Sequence, residues 1–369
     1  MNDHGWMARA LRLARRGLYT TDPNPRVGCV LVDGGRVVGE GWHARAGEPH
    51  AEVHALRAAG ERARGATAYV TLEPCSHHGR TPPCAYALVE AGVARVVAAM
   101  TDPNPLVAGE GLERLRAVGI EVESGVLQAQ AEALNPGFVS RMRRGRPWLR
   151  CKLAMSLDGR TAMASGESRW ITGAAARADV QRLRARSSAI LTGIGTVLAD
   201  DPSLNVRLSA DALYGVEPVR QPLRVVLDTR LQMPASARLL GLEGETLVLT
   251  ANQDVAARAA LEAAGAEVVQ VAARDGRLDL RAVLALLAQR EINEVLVESG
   301  PTLAGALLGA GLIDELVVYM APHVMGDAAR GLFRLPGLDR MADRIALEWA
   351  DVRRVGTDLR LTLVPGGGR

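Results

Sequence analysis

The feature that most constrains this chain is a set of four residues between positions 50 and 84: His50, Glu52, Cys75 directly after a proline, and Cys84. One imidazole and two thiols form the donor set of a catalytic zinc ion, which takes three protein ligands and leaves the fourth tetrahedral position to water. Sharing an ion would require three separated pieces of chain to end at one point. The local signals allow it. AEVHALRAA, after Pro49-His50, has Val53, Leu56 and Ala59 at helical spacing, so His50 and Glu52 fall in a first helical turn. They project about 200° apart around the axis, so only a metal beyond the helix end could serve both. Pro82-Pro83 before CAYALVEAG starts a second helix with Cys84 at its N-terminus, where the helix dipole favours thiolate. ATAYVTLEP reads as a strand that carries Cys75 to the same edge.

Two other readings of these residues stay open at this point. The thiols could be ordinary buried cysteines, or the zinc could be structural, closed by His54, His77 or His78 as fourth ligand. His54 lies four residues after His50 on the same helix face. A metalloprotease helix does not fit, because that motif places Glu directly after the first His and Ala51 intervenes here. His-x-Glu upstream of Pro-Cys matches the zinc deaminases. In their chemistry Glu52 would take a proton from zinc-bound water and pass it to a ring nitrogen, and the hydroxide would displace ammonia from an amino-bearing ring carbon.

The rest of the chain narrows the substrate class. A net charge of +3 over 369 residues and 3% aromatic residues supply neither a basic face nor stacking platforms, which argues against nucleic acid. No apolar run approaches the roughly 20 residues of a membrane span. Four cysteines, two of them assigned to metal and Cys29 and Cys151 read as strand core, fit a reducing cytoplasm. The length predicts two domains. MNDHGWMARALRLARRG reads as a first helix with a solvated basic face rather than a targeting segment. VGCVLVDGGRVVGEGWH then forms a Gly-Gly hairpin, and ARVVAAM, EGLERLRAVG and IEVESGV alternate strand and helix in an α/β layer. The TDPNP at 101–105 echoes the one at 21–25 and reads as a coincident turn, since no longer repeat surrounds it. Basic, Pro/Gly-punctuated RMRRGRPWLR sets the boundary near residue 146, giving domains 1–145 and 146–369.

In the second half, strands at WLRCKLAM, SAILTGIG, PLRVVLD, ETLVLT, AEVVQV, NEVLVES and DELVVYMAP alternate with helices at AAARADVQRLRAR, DVAARAALEAAG and LRAVLALLAQR. This predicts a mostly parallel sheet with ligands at the carboxyl ends of its strands. Gly193-Ile194-Gly195 is only a partial dinucleotide motif, because Leu198 replaces its third glycine. Glu298-Ser299-Gly300-Pro301-Thr302 ahead of an apolar helix is either an anion-binding turn or a plain helix cap. Lys152, inside a strand, needs a partner or a ligand.

EPCSHHGRTPPC with DPNPRVG upstream, and MSLDGR, SGESRWITG, GIGTVLADDPSLNVR and ESGPTL downstream, follow one another in an order that resembles the bifunctional deaminase–reductases of riboflavin biosynthesis. The first half is also similar to the cytidine deaminase superfamily, with its Pro-Cys-x-x-Cys stretched as in this branch. The resemblance covers nearly the whole chain. It implies a cytidine deaminase-like α/β/α domain followed by a dihydrofolate reductase-like α/β domain, using Zn2+ and NADPH. The implied substrates are phosphorylated pyrimidines: a diaminopyrimidine ribosyl phosphate is deaminated, and the ribosyl chain of the product is reduced to ribityl. Catalysis falls to Glu52, and zinc to His50, Cys75 and Cys84. Pyrimidine contacts fall to Asn24, His43, His77 and Arg80. Cofactor contacts fall to Ala154, Trp170, Thr196, Asp200, Thr229 and the run Gly300, Pro301, Thr302, Leu303, Ala304, Gly305 and Ala306. Substrate contacts of the reductase half fall to Ser168, Arg184, Leu204, Arg207 and Glu298, with Lys152 added from its strand position. A phosphate suits the guanidinium forks of Arg184 and Arg207. The resemblance also implies a cytoplasmic homodimer formed through the reductase half. The competing expectations are a nucleoside or tRNA deaminase with a binding module, and a ligand-binding regulator with structural zinc.

Overall fold

The computed structural model describes residues 2–76, 83–105, 107–215 and 217–366, and the chain divides into two compact units, Met1–Arg146 and Pro147–Arg369.

The first unit is built on a five-stranded sheet of β1 (Gly28–Asp33), β2 (Arg36–Trp42), β3 (Thr67–Val70), β4 (Arg95–Ala98) and β5 (Glu121–Ser124), in the order β2-β1-β3-β4-β5. The β1–β2 hairpin and the β1–β3 pair are antiparallel, and β3, β4 and β5 run parallel. Helices α1 (Asp3–Ala14), α2 (Ala51–Ala59), α3 (Cys84–Glu90), α4 (Glu110–Ala117), α5 (Gln128–Leu134) and α6 (Pro136–Arg144) surround it. The basic N-terminal segment is α1, capped by Asn2 and burying Trp6, Met7, Ala10 and Leu11 in the core. Gly39 and Gly41 set the position of α2. They alternate on β2, and an added Cβ would lie 2.2 Å from Ala55 O at Gly39 and 2.5 Å from Ala51 O at Gly41. Only hydrogen fits beneath the helix that carries the His-x-Glu pair.

The second unit contains β6 (Trp148–Ser156), β7 (Arg160–Ala162), β8 (Ala189–Gly193), β9 (Leu223–Leu227), β10 (Thr246–Thr250), β11 (Ala266–Gln270), the short pair β12 (Ala273–Arg274) and β13 (Arg277–Leu278), β14 (Glu294–Glu298), β15 (Glu315–Ala321), β16 (Arg330–Gly331), β17 (Leu347–Val355) and β18 (Asp358–Pro365). Nine of these form one sheet in the order β11-β10-β9-β8-β14-β6-β15-β18-β17. It is parallel from β11 to β15 and antiparallel through β18 and β17. Its helices are α7 (Ala174–Arg186), α8 (Ile194–Asp200), α9 (Val255–Ala263), α10 (Leu280–Gln289) and α11 (Pro301–Gly309). Strand residues alternate between two apolar layers. Leu191, Val225 and Val297 pack with Leu284 of α10 and Leu307 of α11; Ile190, Val226 and Leu296 pack with Val180 and Leu183 of α7 and Leu261 of α9. The final hairpin departs from the sequence expectation, which stopped at β15. The interior of β17 is exposed along its whole length, so an edge strand with no buried face shows no hydrophobic periodicity to read.

Candidate functional sites

In the first unit three chain ends converge as the spacing predicts. His50 is the N-cap of α2, Cys84 opens α3 behind Pro83, and Cys75 lies on the segment leaving β3. His50 Nδ1 is 3.7 Å from Cys75 Sγ and 3.3 Å from Cys84 Sγ, and the three donor atoms lie within 4.8 Å of one another. A tetrahedral ion at about 2.3 Å from sulfur and about 2.05 Å from nitrogen sets an S–N separation of roughly 3.6 Å, so these residues fit zinc. The Cys84 amide donates to Cys75 Sγ at 3.3 Å. The Cys84 thiol, this amide and His50 together hold the Cys75 thiol well below its usual range, which favours the thiolate a metal takes.

Glu52 is buried at 3% exposure beside this cluster. Burial pushes its carboxyl up to about 7, against the pull of His50. Among the described residues His54 is not part of the donor cluster, and its Nε2 is buried without a partner. His77, His78 and Arg80 lie outside the described residues. Asn24 and His43 are together: Asn24 Nδ2 is 3.1 Å from His43 Nε2, His43 Nδ1 is 3.2 Å from Pro49 O, and the His43 and His50 rings meet edge to face at 5.3 Å. Cys29 and Cys151 are fully buried in their strands, as core.

In the second unit, parallel register sets Glu298 of β14 beside Lys152 of β6, both on the face covered by α7. From α7, Arg184 reaches Glu298 with both fork nitrogens, Nε to Oε1 at 2.6 Å and Nη2 to Oε2 at 2.9 Å. Arg184 Nη1 donates to Asn205 O and Arg207 Nη1 to Asn205 Oδ1, each at 2.9 Å. Burial raises the Glu298 carboxyl, but Arg184, Lys152 and Arg207 outweigh it and leave it low. Burial lowers the Lys152 ammonium, partly offset by Glu298. Lys152, Arg184, Arg207 and Glu298 are thus one cluster. Sequence reasoning overlooked Asn205, which orients both arginines; its position two residues before Arg207 was the available signal.

Several of the expected cofactor residues lie near the carboxyl ends of neighbouring strands. Ala154 follows Lys152 by two positions on β6, Thr196 is in the first turn of α8 after β8, and Gly300 caps α11 after β14. A Cβ at Gly193 would lie 3.5 Å from Leu303, so the turns after β8 and β14 touch. Thr192 Oγ1 and Ser299 Oγ are buried there without partners, which suits a polar ligand. Pro301 and Thr302 open α11, while Ala304 is buried and Ala306 half-buried. A Cβ on Gly305 would lie 2.2 Å from Arg334 O, so the missing side chain lets that segment pack against α11. Thr229 follows β9 and its carbonyl accepts from Ala251 N. Trp170 is 72% exposed under the Arg177 guanidinium, and Asp200 O accepts from Arg169. Ser168 is half-buried, and Leu204 is buried with a left-handed backbone.

Known proteins with this sequence and fold agree between themselves. Residues 147–361 match the RibD C-terminal domain, and residues 1–100 match the cytidine and deoxycytidylate deaminase zinc-binding region. Riboflavin biosynthesis protein RibD of Escherichia coli is 56% identical over 99% of this chain and 100% of its own length, and that of Haemophilus influenzae is 50% identical over 98% and 97%. The structure of Acinetobacter baumannii RibD, 49% identical, superimposes with a TM-score of 0.92 and covers 99% of both chains. A Thermotoga maritima diaminohydroxyphosphoribosylaminopyrimidine deaminase/5-amino-6-(5-phosphoribosylamino)uracil reductase, 33% identical, gives a TM-score of 0.85 over 98% of both. With identity of this level over the full length of both halves, the chain belongs to the RibD family of bifunctional riboflavin-biosynthesis enzymes, which join a zinc-binding deaminase to an NADPH-dependent reductase.

Proposed function

We propose that the chain carries out two successive steps on one phosphorylated pyrimidine: hydrolytic deamination of 2,5-diamino-6-(5-phosphoribosylamino)pyrimidin-4(3H)-one by the unit spanning 1–145, then reduction of the ribosyl chain of 5-amino-6-(5-phosphoribosylamino)uracil to ribityl by the unit spanning 146–369. The observation that carries this reading is a three-donor cluster with a buried carboxylate beside it. Zinc held by His50, Cys75 and Cys84 would supply the Lewis acidity that lowers the pKa of water toward about 7. Glu52 accepts the proton of the attacking water, delivers it to a ring nitrogen, and assists departure of ammonia. Its burial keeps competing water away from the proton. Asn24 and His43, linked to each other, hold the pyrimidine edge, and His77 and Arg80 join them on the family resemblance.

In the reductase, NADPH along Gly300–Ala306 with Ala154, Trp170, Thr196, Asp200 and Thr229 would supply the hydride. Arg184 and Arg207 bind the substrate phosphate with Ser168 and Leu204 beside them, and Lys152 and Glu298 hold the ribose hydroxyls. The Arg184–Glu298 pair stores this charge in balanced form until a phosphate arrives. Both steps are assigned to the cytoplasm, in keeping with four free thiols. Among the described residues no helix is long and apolar enough to cross a membrane. The chain is proposed to pair as a homodimer through the reductase unit, supported by the exposed edge strand β17 with Trp349 and Val352 on its surface. The test of the deaminase reading is Glu52→Gln, which preserves shape and ligands. It is expected to retain stoichiometric zinc and lose ammonia release by about 10²–10⁴-fold. Ammonia release at the parent rate removes Glu52 from the reaction.

A further inference from the structure

Directly before the Pro74-Cys75 ligand stands a carboxylate with no part in the chemistry above. Glu73 is buried at 5% exposure. Its Oε2 accepts from Asp102 N and Gly109 N, each at 2.9 Å, and its Oε1 accepts from Gly111 N at 2.8 Å and Leu112 N at 3.4 Å. Four amide donors thus converge on one side chain. Three of them belong to the start of α4, whose N-cap Gly109 has no side chain with which to satisfy the free N–H groups. An anion at that end is also favoured by the helix dipole. The second TDPNP segment, a coincident turn by sequence, here supplies the Asp102 donor, and its Asn104 amide closes back on Asp102 Oδ1 at 2.8 Å.

The same two pieces of chain meet at further points. A Cβ on Gly111 would lie 2.0 Å from Pro74 O and 3.2 Å from Glu73 Oε1. Ser76, on the other side of Cys75, donates to Glu110 Oε2 at 3.2 Å. Cys75 is therefore flanked on both sides by residues fastened to the first turn of α4, while its own carbonyl accepts from Ala85 N of α3 at 3.1 Å.

We propose that Glu73 is a positioning residue for the metal centre: by clamping Asp102 and the start of α4 onto the backbone of residues 73–76, it fixes where Cys75 Sγ stands relative to His50 and Cys84. The argument rests on the metal reading of those three residues. Removing a group that orients a metal ligand typically weakens binding about 10–100-fold. Glu73→Gln keeps the shape but turns an NH2 group toward two amide donors. Gly111→Ala attacks the same contact from the opposite side.

The test uses full-length, zinc-loaded protein. Transfer of zinc to a chromophoric chelator is timed, the visible spectrum of the cobalt-substituted protein is recorded, and NADPH oxidation on pre-deaminated substrate reports that the chain is folded. Both variants are expected to release zinc at least about tenfold faster, with altered thiolate-to-cobalt bands and reductase turnover unchanged. A variant pair that melts earlier but keeps the parent release rate and cobalt spectrum reduces Glu73 to a helix cap and overturns the proposal. Parent protein that takes up no zinc overturns instead the metal reading on which it rests.

Discussion

Gly41→Ala is the most local perturbation of the deaminase geometry. The new Cβ would stand 2.5 Å from Ala51 O, 2.5 Å from His54 Cβ and 2.7 Å from Ala55 N, all of them rigid parts of α2. Restoring an ordinary 3.4 Å contact requires the start of α2 to lift by about 0.9 Å, the difference between 3.4 and 2.5 Å. That turn carries His50 at its cap and the buried Glu52 two residues on. A catalytic group misplaced by about 1 Å can cost on the order of 10²-fold in rate, and overpacking of this kind costs about 1–3 kcal/mol in stability. Ammonia release is therefore expected to fall by about two orders of magnitude. NADPH oxidation on pre-deaminated substrate should stay within about twofold of the parent, because β2 and α2 belong wholly to the first unit. Steady-state assays of both half-reactions on one preparation measure the two together. Parent-level ammonia release from a folded Gly41→Ala protein refutes the claim that close packing of α2 on β2 sets the catalytic geometry.

Other expectations concern the second unit. Arg207→Ala should raise KM for the phosphorylated substrate at least about tenfold more than KM for NADPH, as expected for loss of a charge-assisted contact worth roughly 1.5–3 kcal/mol; equal effects on both would make Arg207 structural. Arg150, 2% exposed, pairs with Glu294 at 3.0 Å and with Glu315 at 2.9 Å. Arg150→Ala leaves the buried Glu294 and the half-buried Glu315 without that partner and should cost about 3–5 kcal/mol in urea unfolding of the reductase unit. Burial raises the Glu315 carboxyl, yet Arg150 leaves it below the ordinary range. Its contribution is thus present above the usual carboxylate pKa of about 4.3 and is lost as pH falls through the lower folded value. The variant should show a smaller acid-side loss of stability than the parent, and an unchanged acid limb would remove Glu315 from the balance.

Much of this was legible in the chain itself, for identifiable reasons. His50, Cys75 and Cys84 could be placed because each sits where a local signal ends an element: a proline before a helix, or a strand running out. Lys152 stood out because a lysine inside an apolar strand is rarely idle, and register then put Glu298 beside it. The hairpin of β17 and β18 was illegible because β17 lies at a sheet edge with almost every side chain in water. Glu73 was illegible for another reason. Its partners are backbone amides 29 to 39 residues away, and amides carry no residue identity. The Arg184–Glu298 bond was hidden likewise, since each residue alone reads as a ligand contact and only the packing of α7 on the sheet reveals that they bind each other.

The central claim, two chemistries in fixed order on one chain, is tested by giving purified zinc-loaded protein the diaminopyrimidine ribosyl phosphate and following ammonia and NADPH separately. Ammonia should appear without NADPH, and NADPH should be oxidised only after deamination has begun. NADPH oxidation that precedes ammonia, or ammonia release with no NADPH oxidation under any condition, contradicts the account.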